Sequence, residues 1–349
     1  MAINLKKRWR SLTIILTILV FIGFFWLWAT NRPTKKTNEL TYGLTFSPLV
    51  LNDMGLDWHA AFIDMLDNLK VKKLRLVAYW NIIEAEKDKY TFNDIDWQIE
   101  EAQKREAKII LAVGGRLPRW PECHQPDWAK NQNKTEREQE LLDYLEQTIK
   151  RYDSNPAIAA WQIENEPFLF GFGECPKLDK KFLDQEIALA KKLTKKPIII
   201  TDSGELSLWV PAAKRADIFG TSIYRHTYSR LLDHYITYPF TPNFFKAKTK
   251  ITELFTKEKP MIVIELQAEP WGKEAYFKLS AEERAKTMDL TKFKENIEFS
   301  RQAGFDTFYL WGIEWWYWEK KPIKITVIGN MLKNYLLNHY EKISTFSRY

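Results

Sequence analysis

Two apolar runs in this 349-residue chain end in carboxylic acids. WQIENEP sets Asn165, Glu166 and Pro167 behind the run at 157–163, and MIVIELQAEPW sets Glu265 at the end of the run at 261–266. Two glutamates facing one enclosed space can divide acid–base work. Burial and a negative neighbour raise the pKa of one, which then stays protonated and can protonate a leaving group. The other stays ionised and can attack. This needs two different elements to bring the glutamates together.

The elements are legible as an alternation of short apolar runs and longer amphipathic stretches. Strands are expected at 41–45, 73–78, 108–113, 157–163, 197–201, 218–223, 261–266 and 307–311, all rich in Ile, Val and Leu. Helices are expected at 58–68, 94–105, 136–152, 180–193, 207–214, 242–255, 287–303 and 327–340. Asn93 or Asp94 can cap the second, Thr135 opens the third, and Gly304 closes the seventh. Eight alternating units in about 300 residues imply an α/β fold with a parallel sheet, and at this length a (β/α)8 TIM barrel. An open doubly wound sheet should carry a glycine-rich phosphate loop after its first strand, and GLTFSPL is not one.

Barrel sites form at the C-terminal ends of the strands, so side-chain parity matters there. In the seventh strand Ile262 and Ile264 share one parity and Val263 and Glu265 the other. With the isoleucines toward the helices, Glu265 faces the axis. In the fourth, an outward Ile163 puts Gln162, Glu164 and Glu166 inward. Asn165 then has the wrong parity, and only a bulge or the end of the strand turns it in. Retaining glycosidases hold their two carboxyl groups about 5 to 5.5 Å apart, a separation opposed strands of a small barrel can offer.

Composition narrows the classes. Hydrophobic residues make up 45% and charged residues 28%, which excludes a disordered chain or a coiled coil. The net charge of +7 suggests nucleic-acid binding, but Lys6, Lys7, Arg8, Arg10, Arg32, Lys35 and Lys36 account for all of it before the first acidic residue, Glu39. The remainder is neutral and lacks the basic footprint that phosphate binding needs. With only five histidines, a metal-dependent hydrolase has few ligands to draw on; no metal and no cofactor are expected.

The first residues divide into a basic tail (1–10), an apolar segment (11–30) and a polar linker (31–39), ahead of a catalytic domain at 40–345. LTIILTILVFIGFFWLWA, residues 12–29, is uncharged and just long enough to span a bilayer as a helix, with Trp26 and Trp28 at its outer end. It is read as a signal-anchor with a cytoplasmic N-terminus, so the protein is expected in the cell membrane, single-pass, with its catalytic domain extracytoplasmic. A cleaved signal peptide is the alternative; either exports the domain. No obligate protein partner is evident.

Several motifs together resemble the clan A glycoside hydrolases, the retaining glycosidases that include cellulase-like and family 42 β-galactosidase-like barrels. Asn-Glu-Pro closes the fourth strand and a Glu closes the seventh. KKLRLVAYWNIIEAEKDKYTFNDIDWQIEEA is similar to the clan's strand-2 arginine and following loop, with Arg75 matching the arginine and Lys89 or Asp88 where glycine is usual. GGRLPRWPE resembles the clan's loop after strand 3, and Tyr224 and Trp311 fall where the clan has a tyrosine beside the nucleophile and a platform tryptophan. The resemblance covers about residues 40–340. It implies Glu166 as general acid/base, Glu265 as nucleophile, Asn165 on the sugar 2-hydroxyl and Arg75 holding the nucleophile ionised. Trp80, Trp120, Tyr224, His226, Trp271 and Trp311 are expected to line a carbohydrate site.

Other readings stay open. Glu269 is an alternative nucleophile, and Glu164 is expected to partner Arg75 or to serve as a buried hydrogen-bond acceptor. His226 can be a structural histidine, and many of the fifteen tryptophans can simply pack long loops. Cys123 and Cys175 follow adjacent strands and are a disulfide candidate, with two free thiols as the alternative. A transglycosylase would use the same residues. A non-catalytic carbohydrate-binding barrel would keep the tryptophans but not both carboxylates and Arg75.

Overall fold

The computed structural model describes residues 40–319, together with Thr13, Leu16, Thr17, Val20 and Gly23, which are helical. The tail 1–10, the rest of the segment 11–30, the linker 31–39, the helix expected at 327–340 and the end of the 40–345 domain lie outside the described residues. Among the described residues no helix is long and apolar enough to cross a membrane.

In chain order the strands are β1 (Thr41–Thr45), β2 (Lys73–Val77), β3 (Lys108–Val113), β4 (Ile158–Ile163), β5 (Ile198–Asp202), β6 (Ile218–Ile223), β7 (His226–Ser229), β8 (His234–Thr237), β9 (Met261–Gln267) and β10 (Thr307–Trp311). All but β7 and β8 pair in parallel, and β10 returns to β1 to close the barrel. β7 and β8 form a separate antiparallel hairpin that the apolar pattern did not reveal. The main covering helices are α1 (Trp58–Asp67), α2 (Asn93–Lys104), α3 (Lys134–Tyr152), α4 (Lys180–Leu193), α5 (Pro242–Phe255), α6 (Ala281–Thr287) and α7 (Leu290–Gln302).

Their ends show where local chemistry overrode the expected boundaries. α3 starts at an Asn133 cap, not at Thr135: the Asn133 side chain accepts from the Glu136 amide while the Glu136 carboxylate accepts from the Asn133 amide. α2 has no side-chain cap, its N-cap being Phe92, and relies on Asp94 and Asp96 in its first turn. The helix expected at 287–303 starts later, at Leu290, because Asp289 caps α7 through the Lys292 amide; α6 is a further short helix ahead of it that was not expected. Gly304, at φ 91°, follows the end of α7. The helix expected at 207–214 shortens to Trp209–Ala213.

Inside the barrel, Ile110, Ala160, Ile199, Ile262, Ile264 and Tyr309 pack together. Gly43 makes room for Tyr309, since a Cβ there would lie 2.6 Å from the tyrosine ring. The isoleucines of β9 therefore face the axis, opposite to the parity expected for them; Val263 packs with the outer core instead. Glu265 still turns inward because β9 is irregular at Ile264. Against β6 the register passes from Thr221↔Val263 to Ser222↔Glu265, so one residue is extra and adjacent residues share a face.

The capping box gives a direct test of this part of the fold. Asn133→Ala should cost about 1 kcal/mol, read as a lower urea midpoint at unchanged slope. An unchanged midpoint would mean that the box contributes nothing to α3.

Candidate active site

Alternation on β2 sends Leu74 and Leu76 into the outer core and leaves Arg75 pointing along the axis, fully buried. Its guanidinium meets three acceptors: Nε donates to Gln162 Oε1 at 2.8 Å, Nη1 to Glu265 Oε1 at 2.7 Å and Nη2 to Asn165 Oδ1 at 2.8 Å. Tyr224, just beyond β6, donates its hydroxyl to the other Glu265 oxygen at 2.9 Å. Both oxygens of Glu265 thus face donors, as an ionised carboxylate requires. Burial and the charge of Glu265 push the Tyr224 hydroxyl well above its usual range, so it remains a donor.

Glu166 lies beside this pair at the end of β4. Its amide donates to Thr201 Oγ1 at 2.8 Å, and its Oε1 accepts from Ser222 Oγ at 2.8 Å. Ser222 sits in backbone register with Glu265 on the neighbouring strand, so the serine that bonds Glu166 comes from the strand beside that of Glu265. Burial first, and the charge of Glu265 second, hold the Glu166 carboxyl well above the usual carboxylate range; the Ser222 hydrogen bond opposes them.

The turn after β4 resolves the parity problem of Asn165. Glu164 and Glu166 both take positive φ, 58° and 43°, where non-glycine residues are uncommon. The reversal swings Glu164 away from Arg75. Its carboxylate accepts from the Gly115 and Arg116 amides at 2.6 and 2.7 Å and meets Glu186 of α4. It is a buried acceptor and not a partner of Arg75. Asn165 turns in and reaches the guanidinium.

The loop after β3 adds residues that the sequence did not single out. Glu122, at φ 72°, accepts from Asn165 Nδ2 at 3.1 Å, and burial pushes its carboxyl up to about 8. Its neighbour Cys123 is disulfide-bonded to Cys175, with 5.2 Å between their Cα atoms. Arg119 projects from the same loop to Glu269 at 2.6 Å and Glu314 at 2.5 Å. Glu205, after β5, accepts from the Tyr224 amide at 2.8 Å and is likewise pushed to about 8 by burial. Ser222 and Thr201 had inward parity as their only signal; Glu122 and Arg119 sit in an irregular loop, where parity says nothing.

The aromatic candidates separate. Trp80 is fully buried, donates to Glu84 and stacks on Tyr144, so it is a packing residue and not a sugar platform. Trp311 is buried at the rim, donates to Glu269 Oε1 at 2.7 Å and carries the Arg119 guanidinium on its ring at 4.1 Å. Trp271 packs edge-on to Tyr224 at 5.1 Å and against Phe172 at 5.7 Å, and Phe172 touches the half-exposed Trp120 at 6.4 Å. These rings run from the Glu265 partner out to solvent. His226 bonds Thr237 within the hairpin through Nδ1 at 2.9 Å, and the charges acting on it are Arg225, Lys292, Glu295 and Asp289. Its Nε2 is buried without a hydrogen-bond partner, and no bond joins it to Glu166 or Glu265.

Glu269, the alternative nucleophile, is committed to Arg119 and Trp311 through one oxygen, while its other oxygen is buried without a hydrogen-bond partner. Away from the site, Glu84, Asp88 and Glu140 present ligand atoms within 4.8 Å of one another. They are already engaged: Glu84 accepts from Trp80 and the Asp88 amide, and Glu140 pairs with Lys87 at 2.5 Å.

Comparison with known proteins fits this geometry. Residues 36–177 match the model for Cellulase (glycosyl hydrolase family 5). No curated protein matches in sequence. Among solved structures, a β-galactosidase from Rahnella sp. R3 shares 14% identity at a TM-score of 0.54, with 80% of this chain and 51% of that one covered. A β-glucosidase from Exiguobacterium marinum shares 13% identity at 0.52, covering 80% and 90%. A GH5_18 protein from Bifidobacterium longum subsp. longum shares 10% identity at 0.56, covering 78% and 70%. At these identities the likeness is one of fold, and the chain spans about half the length of the Rahnella enzyme. The family 5 match over 36–177 falls on the first four strands of a closed eight-stranded parallel barrel, and the solved structures resemble that barrel as a whole.

Proposed function

We propose that this protein hydrolyses β-glycosidic bonds with retention of configuration, through a glycosyl-enzyme intermediate on Glu265. The observation that carries this reading is the asymmetry between two neighbouring buried glutamates. Glu265 has Arg75 and Tyr224 on its two oxygens, while burial and the charge of Glu265 keep Glu166 protonated. Glu265 attacks the anomeric carbon as Glu166 protonates the leaving oxygen; Glu166 then deprotonates water, which releases the sugar and frees Glu265. Asn165, its oxygen taken by Arg75 and one N–H by Glu122, offers its remaining amide N–H to the sugar 2-hydroxyl. Trp271, Trp311 and Trp120 supply ring surface beside and beyond the glutamates. The β-linkage is supported by the structural neighbours, which include a β-glucosidase and an endo-β-1,4-xylanase.

The same reading places the domain outside the cytoplasm, tethered by the uncharged segment 12–29. The disulfide between Cys123 and Cys175 supports this, because such bonds persist in oxidising compartments.

Three outcomes are expected. Activated 2-deoxy-2-fluoro glycosides slow breakdown of the covalent intermediate, so intact mass of the treated protein should show an adduct that maps to Glu265. Mapping to Glu269 would reassign the nucleophile, and no adduct across a broad sugar panel would sink the double-displacement reading. The pH profile of kcat/KM should fall on its alkaline side as Glu166 loses its proton. Ser222→Ala removes a bond that favours the ionised form and should move that limb to higher pH; a limb that stays or moves down would contradict the assignment. The full chain should stay in the membrane pellet after alkaline carbonate extraction, and its release would exclude the anchor.

A further inference from the structure

We infer that Glu122 is a positioning residue for catalysis, which fixes the Asn165 amide for the sugar 2-hydroxyl and is itself held in place by the Cys123–Cys175 disulfide. The inference rests on the glycosidase reading above and extends it to a loop that reading does not use.

The Asn165 amide can be oriented unambiguously. Its Oδ1 faces three donors: Arg75 Nη2 at 2.8 Å, Gln162 Nε2 at 3.3 Å and Thr201 Oγ1 at 3.4 Å. Nδ2 must therefore point away from Arg75, and there it meets Glu122 Oε2 at 3.1 Å. One Nδ2 hydrogen is used by Glu122 and the second remains for substrate. With Glu122 removed, Nδ2 loses its one described acceptor and the amide is held through Oδ1 alone.

Glu122 is placed by a tightly bonded loop. Its carbonyl accepts from the Leu117 amide at 2.7 Å and its amide donates to the Arg119 carbonyl at 2.8 Å, while Arg116 and Cys123 pair across the loop neck. The 171–175 segment closes over it. The Glu174 amide donates to the Pro121 carbonyl at 2.9 Å, and Gly173 approaches so closely that a Cβ there would lie 2.6 Å from Glu122 Cβ. The disulfide joins these two segments one residue from Glu122. Glu122 is buried, and burial pushes its carboxyl up to about 8 against the opposing charge of Arg116, whose Nε lies 3.9 Å from Glu122 Oε2; glutamine keeps the oxygen that Asn165 Nδ2 meets.

The test compares matched glycosides with and without the 2-hydroxyl. Glu122→Ala should lower kcat/KM about 10- to 100-fold on the 2-hydroxy substrate, with little loss on the 2-deoxy substrate. Glu122→Gln should stay near wild type on both. The Cys123→Ser/Cys175→Ser double variant should show the alanine pattern in weaker form. Equal losses on both substrates, or a glutamine variant as impaired as alanine, would reduce Glu122 to a structural role and overturn the inference. A wild type inert on all glycosides would instead refute the glycosidase reading. A crystal structure of Glu122→Ala decides the inference even then: Asn165 should turn away from Arg75 or adopt more than one rotamer, and an unmoved Asn165 would overturn it.

Discussion

One buried guanidinium organises the catalytic end of this barrel. Desolvating an arginine costs several kcal/mol unless its donors are matched, and Arg75 has an acceptor on each of its three nitrogens, drawn from β4, the turn beyond it and β9. The match fixes Gln162, Asn165 and Glu265 relative to one another. It also sets a cation directly against one of several buried acids. Glu166, Glu122 and Glu205 are all buried near Glu265, and each is pushed up by burial with the charge of Glu265 adding to it. Only Glu265 has the cation in direct contact.

A second arginine does the same work a few ångströms up the rim. Arg119 bridges Glu269 and Glu314, and Glu314 in turn accepts from the Ser47 amide at 2.6 Å. This network ties the loops after β1, β3, β9 and β10 together. It also separates two glutamates four residues apart, Glu265 and Glu269, by their partners. Glu265 is held by donors that converge with Asn165 and lie beside Glu166, whereas Glu269 is part of a strut beneath the Trp311 ring.

The sequence was most legible where one periodicity governed. Strands at 41–45, 108–113, 218–223 and 307–311 could be placed to the residue, because apolar runs bounded by polar residues have few other solutions. Parity within those strands was less secure. Ile163 faces outward as its pattern implies, yet Ile262 and Ile264 face the axis, since a barrel interior is as apolar as its outer layer and hydrophobicity alone does not tell the two faces apart. Glu265 reached the site through a bulge at Ile264, and Asn165 through a left-handed turn at Glu164; neither has a sequence signal beyond the motif that contains it. Glu122, Arg119 and Glu205 escaped notice because loop residues carry no period. What brings them in is a disulfide, a positive-φ turn and a distant partner, all tertiary facts.

The tryptophan excess illustrates the same limit from the other side. A barrel whose rim holds this many buried charges needs long loops packed without water, and loops carry carbonyls that must be satisfied. Indoles answer both needs, with a large apolar body and one N–H donor. Trp128 donates to the Glu84 carbonyl, Trp209 to the Ser203 carbonyl and Trp316 to the Ala268 carbonyl, while Trp80 and Trp311 donate to carboxylates. Trp128, Trp311 and Trp316 each tie one loop to its neighbour, while Trp80 and Trp209 brace their own. Composition registers the number of rings but not which of them face sugar and which hold up the loops that do. Here Trp120 and Trp271, joined through Phe172 to Tyr224, form the row that reaches solvent, and the buried indoles keep the charged groups behind that row in a dry, fixed frame.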